Sequence, residues 1–118
     1  MKPKYRLFSN ASYALSGLKS MWQREMAFRI EVVCIVPLLV FSLFLEIDVF
    51  LRILIDFSLM LILIMECVNS AIEASIDLIT QEIHPLAKIA KDCASGAVLL
   101  SVVWAVIIWS YVLMDLFL

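Results

Sequence analysis

Apolar residues gather in three long segments, at about 32–45, 50–74 and 97–114, behind a shorter stretch in which apolar and polar positions alternate at helical spacing. Segments of this length suit the hydrocarbon core of a bilayer, which takes about twenty residues of helix. The third segment carries no charge at all. The first is short, holds Pro37 and opens behind Glu31, so it must borrow flanking residues to span. In the leading stretch, Ala11, Ala14, Leu15, Leu18, Met21 and Trp22 fall on one face while Lys19, Gln23 and Arg24 fall elsewhere. That pattern predicts a helix lying on the membrane surface, started by Ser9 or Asn10 and running to about Arg29. The expected architecture is an all-α membrane protein: one domain over 1–118, with a surface helix at about 10–29 and membrane helices at about 30–46, 49–77 and 93–115.

The middle segment is apolar except for a stripe. Glu66, Asn69, Glu73 and Asp77 are offset from Glu66 by 3, 7 and 11 positions, which places them within about 80° of one another on a helix. Carboxylates among apolar residues are costly unless they face a polar interior, so the stripe marks a site. Glu66 and Glu73 are roughly 10 Å apart along the axis. One small cation cannot touch both, and the stripe offers two tasks at two depths. A structural use of the same groups, joining helices by hydrogen bonds, stands beside the chemical one.

Composition agrees with the pattern. Hydrophobic residues make up 64% of 118 positions, and the mean hydropathy is +1.04. Two Gly and three Pro leave few places for turns. A net charge of −2 gives no electrostatic footprint for nucleic acid. Lys2, Lys4, Arg6, Lys19, Arg24 and Arg29 precede the first span, and Lys88 and Lys91 lie between the second and third. Only Arg52 stands near the short Glu46-Ile47-Asp48 connection, where it is expected to pair with Asp56. This bias predicts a cytoplasmic N-terminus and a C-terminus on the far side. The charges of the first thirty residues exclude a cleavable signal peptide. Cys34, Cys67 and Cys93 lack metal-ligand spacing and read as small packing residues without disulfides.

Gly17 and Gly96 are too far apart for a glycine-rich phosphate loop. A bound nucleotide would therefore rest on side chains and a divalent ion. Glu73, near the cytoplasmic end of the stripe, and Glu25, which interrupts the apolar face of the surface helix, supply hard oxygens for Mg²⁺. Glu25 also has a plainer reading, a pair with Arg29 one turn on, and both stay open. Lys91 supplies a mobile cation for phosphate oxygens. Glu66, about two turns deeper, suits a general base, with Asn69 orienting it or the substrate. His84, the only histidine, reads on its own as a solvated loop residue.

The segment Glu66-Cys-Val-Asn69-Ser-Ala-Ile-Glu73-Ala-Ser-Ile-Asp77 resembles the signature of the prokaryotic diacylglycerol kinases. So do Ala90-Lys91-Asp92-x-x-Ser95-x-Ala97-Val98-Leu99, the stretch with Gly17-Leu18-Lys19, Trp22, Glu25, Ala27-Phe28-Arg29 and Glu31, and His84 after Glu82. The likeness covers nearly the whole chain and is nearer the Gram-negative form than the undecaprenol kinases of Gram-positive bacteria. It implies transfer of the γ-phosphoryl group of ATP to diacylglycerol, in a homotrimer embedded among the lipids of the bacterial inner membrane, with the C-terminus periplasmic. It implies Glu66 as proton acceptor and Glu25 and Glu73 as holders of the Mg²⁺ bound to ATP. Arg6, Tyr13, Glu82, His84, Lys91 and Asp92 would line the nucleotide; Arg29, Glu31, Arg52, Glu66, Asn69, Ser95 and Trp109 would line the lipid. Asp56, Ile83 and Pro85 depart from the pattern. Rival readings are a polyprenol kinase, a small proton-coupled transporter using Glu66, and a non-catalytic scaffold.

Overall fold

The computed structural model describes residues 4 and 6–118. Four helices follow in order: α1 (Leu7–Arg24), α2 (Met26–Ser42), α3 (Val49–Ile79) and α4 (Pro85–Phe117). All described elements are helical, as the sequence pattern predicts.

The first departure is at Glu25. The surface helix was expected to reach Arg29, but the backbone turns extended at Glu25 (φ −112°, ψ 107°) and restarts as α2. Arg29 stabilises this break. Its Nη1 donates to the carbonyls of Trp22 at 2.8 Å and Gln23 at 3.1 Å. Those carbonyls are left over at the end of α1, where a cation is favoured. The expected Glu25–Arg29 ion pair is absent among the described residues, because Arg29 is spent on the helix end. Ser9 and Asn10 do not cap α1 either; the helix starts at Leu7 behind an extended Arg6 with no side-chain cap.

The α2–α3 hairpin is tied by polar groups. Asp48 caps α3, its Oδ1 accepting from the Leu51 N–H at 2.8 Å. Arg52 does not pair with Asp56. Its Nη2 donates to the Leu45 carbonyl at 2.9 Å, closing the bend that α2 leaves by ending at Ser42. Asp56 instead lies 2.8 Å from Ser42 Oγ, whose single proton is shared between Asp56 Oδ1 and the Leu39 carbonyl. The carbonyls exposed by the bend outbid a neighbouring carboxylate for the guanidinium.

α3 is 31 residues long, and α4, at 33, starts eight residues ahead of the expected 93. His84 caps α4, its Nδ1 accepting from the Leu86 N–H at 3.1 Å, and Pro85 occupies the first turn, where a missing N–H costs nothing. By length and composition α4 is able to cross a membrane. α3 and α4 pack along their length, and α2 joins them. The core is Ile35, Leu45, Ile55, Leu59, Ile62, Ala105, Trp109 and Val112. Trp109 is pinned there, its Nε1 donating to the Ile55 carbonyl at 3.2 Å. The outer faces remain apolar: Phe44, Phe50, Ile53, Leu99, Leu100 and Ile107 are all exposed. The three cysteines are unpaired, and Cys34 and Cys93 lie on the outside rather than in the packing.

Candidate active site

Burial falls steadily along the polar stripe of α3. Glu66 is 7% exposed and Asn69 8%, Glu73 is half-buried, and Asp77 is exposed. The charged neighbours of Glu66 are Glu25, brought in by the break between α1 and α2, and Glu73, one side of the stripe further out. Glu31 of α2 approaches Glu66 from another side. Glu25 thus acts on the same carboxylate, and it makes no ion pair with Arg29 among the described residues.

Hydrogen bonding in the cluster is incomplete. Asn69 Nδ2 donates to Glu73 Oε1 at 3.3 Å. Asn69 Oδ1 and Glu31 Oε2 are buried with no donor. Buried acceptors without partners are costly, so these two atoms are free to take donors beyond those of the four helices. Among the described residues no three His, Cys, Asp or Glu side chains converge tightly enough to hold a metal by themselves. That suits Mg²⁺ bound with a nucleotide, which needs one or two carboxylates and takes its remaining oxygens from phosphate and water. Glu25 and Glu73 have the chemistry for it.

Three hollows surround the cluster. A cavity of about 490 Å³ lies between α1 and α3, with Gly17, Met21, Arg24 and Glu25 facing Cys67, Ser70, Ala71 and Ala74. Small residues on both walls make the room. A cleft of about 290 Å³ lies where α3 passes into α4 and gathers Asp77, Glu82, His84, Lys88, Lys91 and Asp92. Here Lys91 Nζ donates to Asp77 Oδ1 at 2.7 Å, and Lys88 pairs with Asp92. The hydrogen bond from Lys88 to Asp92, and then the charge of Asp92, hold the Lys88 ammonium above its ordinary pKa. The third is an apolar groove of about 490 Å³ walled by α2, α3 and α4, with Glu31 at its edge and Trp109 within it.

The structure therefore groups some expected residues and separates others. Glu25, Glu31, Glu66, Asn69 and Glu73 come together. Glu82, His84, Lys91 and Asp92 share one cleft. Arg6 and Tyr13 sit apart, with Lys4, Ser9 and Asn10, in a hollow at the start of α1. Arg52 is 14 residues from Glu66 along α3, roughly 21 Å at helical rise, and serves the α2–α3 bend. Arg29 is engaged by the end of α1, and Ser95 is exposed on α4. The sequence reading assigned nothing to Lys88, although its i,i+4 spacing to Asp92 was visible.

Comparison with known proteins identifies the family. The profile of the prokaryotic diacylglycerol kinase family matches residues 12–113. The chain is 42% identical over 108 residues to the diacylglycerol kinase of Escherichia coli K12, covering 92% of this chain and 88% of that protein. It is 37% identical over 113 residues to the diacylglycerol kinase of Helicobacter pylori 26695, covering 96% and 88%. It is 34% identical over 109 residues to that of Pseudomonas aeruginosa PAO1, covering 92% and 89%. With a family match over residues 12–113 and relatives up to 42% identical over most of its length, the chain belongs to the prokaryotic diacylglycerol kinase family.

Proposed function

We propose that this protein transfers the γ-phosphoryl group of ATP to diacylglycerol, giving phosphatidic acid at the cytoplasmic face of a bacterial inner membrane. The observation that carries the reading is the burial of Glu66 and Asn69, with the carboxylates of Glu25 and Glu73 acting electrostatically on Glu66. The relatives named diacylglycerol kinase supply the substrate class.

The lipid hydroxyl oxygen attacks the γ-phosphorus in line. The bond from that phosphorus to the β,γ-bridging oxygen breaks, and ADP departs with the electron pair. Glu66 takes the hydroxyl proton, and Asn69, one turn on, has a second Nδ2–H, beyond the one given to Glu73, with which to orient the alcohol oxygen. Glu25 and Glu73 would hold the Mg²⁺ that accompanies the nucleotide, and the ion would neutralise phosphate charge. Glu82, His84, Lys91 and Asp92 receive the rest of the nucleotide, and Lys91 stabilises charge on the phosphate oxygens. Diacylglycerol approaches sideways through the apolar groove by Glu31 and Trp109. Most of the acceleration comes from positioning and charge neutralisation, as is general for phosphoryl transfer.

In this reading α2, α3 and α4 cross the membrane and α1 lies on its cytoplasmic surface, with the C-terminus periplasmic. Three protomers assemble. Two features support that: buried acceptors at Asn69 and Glu31 still lack donors, and Arg6 and Tyr13 occupy a hollow apart from the other nucleotide residues. A neighbouring subunit meets both needs.

The test is transfer of label from γ-³²P-ATP in mixed micelles, with diacylglycerol and undecaprenol offered in parallel. Mg²⁺-dependent labelling of diacylglycerol, at least tenfold above undecaprenol, is the expected result. Preferential labelling of undecaprenol would replace the substrate, and no labelling of either lipid would remove the kinase reading.

A further inference from the structure

The cleft between α3 and α4 holds two ammonium groups, and each already has an anion. Lys91 is held by Asp77 from α3 at 2.7 Å, and Lys88 by Asp92 on its own helix. Lys88 and Lys91 are three residues apart on α4, so they project from neighbouring positions of one face. Both line the cleft that also contains Glu82 and His84. Counting the charged groups there gives three carboxylates, Asp77, Glu82 and Asp92, against two ammonium groups. A polyphosphate meets a net repulsive site unless it displaces carboxylates from their cations. With Lys91 alone, one ammonium would face three carboxylates. Both lysine pairs are open to solvent, with side-chain exposures of 74% and 62% for Lys88 and Asp92 and of 39% and 57% for Lys91 and Asp77. Exposed pairs of this kind are worth little and exchange partners readily.

We infer that Lys88 is a second cationic contact for the polyphosphate of the nucleotide, kept in place by Asp92 until phosphate replaces that carboxylate, as Asp77 keeps Lys91. Asp77 and Asp92 act as stand-in anions, so the cleft is ordered before the nucleotide arrives. The placement supports the exchange: both ammonium groups line the same cleft, each on a flexible side chain held by an exposed carboxylate. This assignment rests on the kinase reading for the identity of the anion, and the experiment separates the two.

Two measurements are made on the full-length protein in detergent. The first is direct binding of Mg-ATP, by displacement of a fluorescent nucleotide analogue. The second is the kinetics of diacylglycerol phosphorylation. Lys88→Gln is expected to weaken nucleotide binding and raise KM for ATP by roughly three- to tenfold, with a smaller fall in kcat and no change in KM for diacylglycerol. Lys88→Arg is expected to recover most of the loss. The weakening should shrink at high salt, where charge attraction is screened. Unchanged nucleotide affinity in Lys88→Gln overturns the assignment. So does tighter binding, which would make Lys88 a mere restraint on Asp92. If the wild-type protein binds nucleotide but does not phosphorylate diacylglycerol, the substrate reading fails while the binding measurement still decides Lys88.

Discussion

The two ends of α3 both place polar side chains among apolar neighbours, and they settle the cost differently. At the α2–α3 end, Ser42 is fully buried and shares its one hydroxyl proton between Asp56 and Leu39, Asp48 caps the helix, and Arg52 closes the bend through the Leu45 carbonyl. One nitrogen of Arg52 is all that lacks a partner there. At the Glu66 end, four carboxylates crowd together and two buried acceptors have no donor. A region that satisfies itself is complete as structure. A region left short of donors has room for something added, and on the proposed kinase reading a phosphate donor, its cation, an alcohol or a second subunit would supply it.

That contrast is broken most severely at Glu66. Glu66→Gln is expected to lower kcat by about 10²- to 10⁴-fold, the usual worth of a positioned general base, while nucleotide binding persists. Removing one buried charge from a crowd of like charges does not weaken the fold, so the thermal midpoint should stay level or rise. A variant that lost activity only by unfolding would erase the distinction between the two ends.

Glu73→Gln sharpens the same contrast within the site. The amide still accepts from Asn69 Nδ2, so the hydrogen bond survives and only the charge is lost. KM for Mg-ATP should rise by roughly tenfold, in the range of lost support at a metal site, with kcat reduced less than in Glu66→Gln. Kinetics at saturating Mg²⁺ would check it, since excess ion should recover part of the loss.

How much of this was legible beforehand follows from the range of the interactions. The stripe of α3 was readable because helical periodicity alone aligns Glu66, Asn69, Glu73 and Asp77. Three helices were readable from apolar runs and the first from amphipathic spacing. The break at Glu25 was not: nothing local demands it, and it is fixed by Arg29 reaching back to carbonyls six and seven residues earlier. Periodicity therefore carried the surface helix too far. The Arg52–Asp56 pair was the natural local choice, and it lost to the Leu45 carbonyl and the Ser42 hydroxyl, which only the folded hairpin presents. The Lys91–Asp77 pair likewise spans 14 positions and depends on how α4 returns along α3. Residues named through the family likeness divide by the same rule. Those on the stripe and in the α3–α4 cleft meet within one protomer, while Arg6, Tyr13 and Arg52 do not.

At the self-satisfied end the expected effects are small and concern stability. Asp56→Ala leaves the Ser42 hydroxyl with only Leu39 as acceptor, and should cost about 1 kcal/mol, the scale of a side-chain hydrogen bond between apolar helices. Asp56→Asn keeps an acceptor and should recover much of that. Neither should change KM for ATP or diacylglycerol, because Asp56 lies ten residues before Glu66 on α3, remote from the site.

The finest test is a double-mutant cycle over Ser42 and Asp56. Ser42→Ala alone removes the donor and leaves Asp56 to find another partner. Since Asp56 is half-buried rather than fully enclosed, water or headgroups reach it, and the single change should be milder than the loss of a wholly buried bond. If the two groups act mainly on each other, the double variant should be less destabilised than the two singles summed, by about 0.6 kcal/mol. Unfolding in detergent, followed by loss of helical circular dichroism, resolves a difference of that size. Strict additivity would mean that the two side chains contribute independently, and the α2–α3 end would then be held by Asp48 and Arg52 rather than by the Ser42–Asp56 bond.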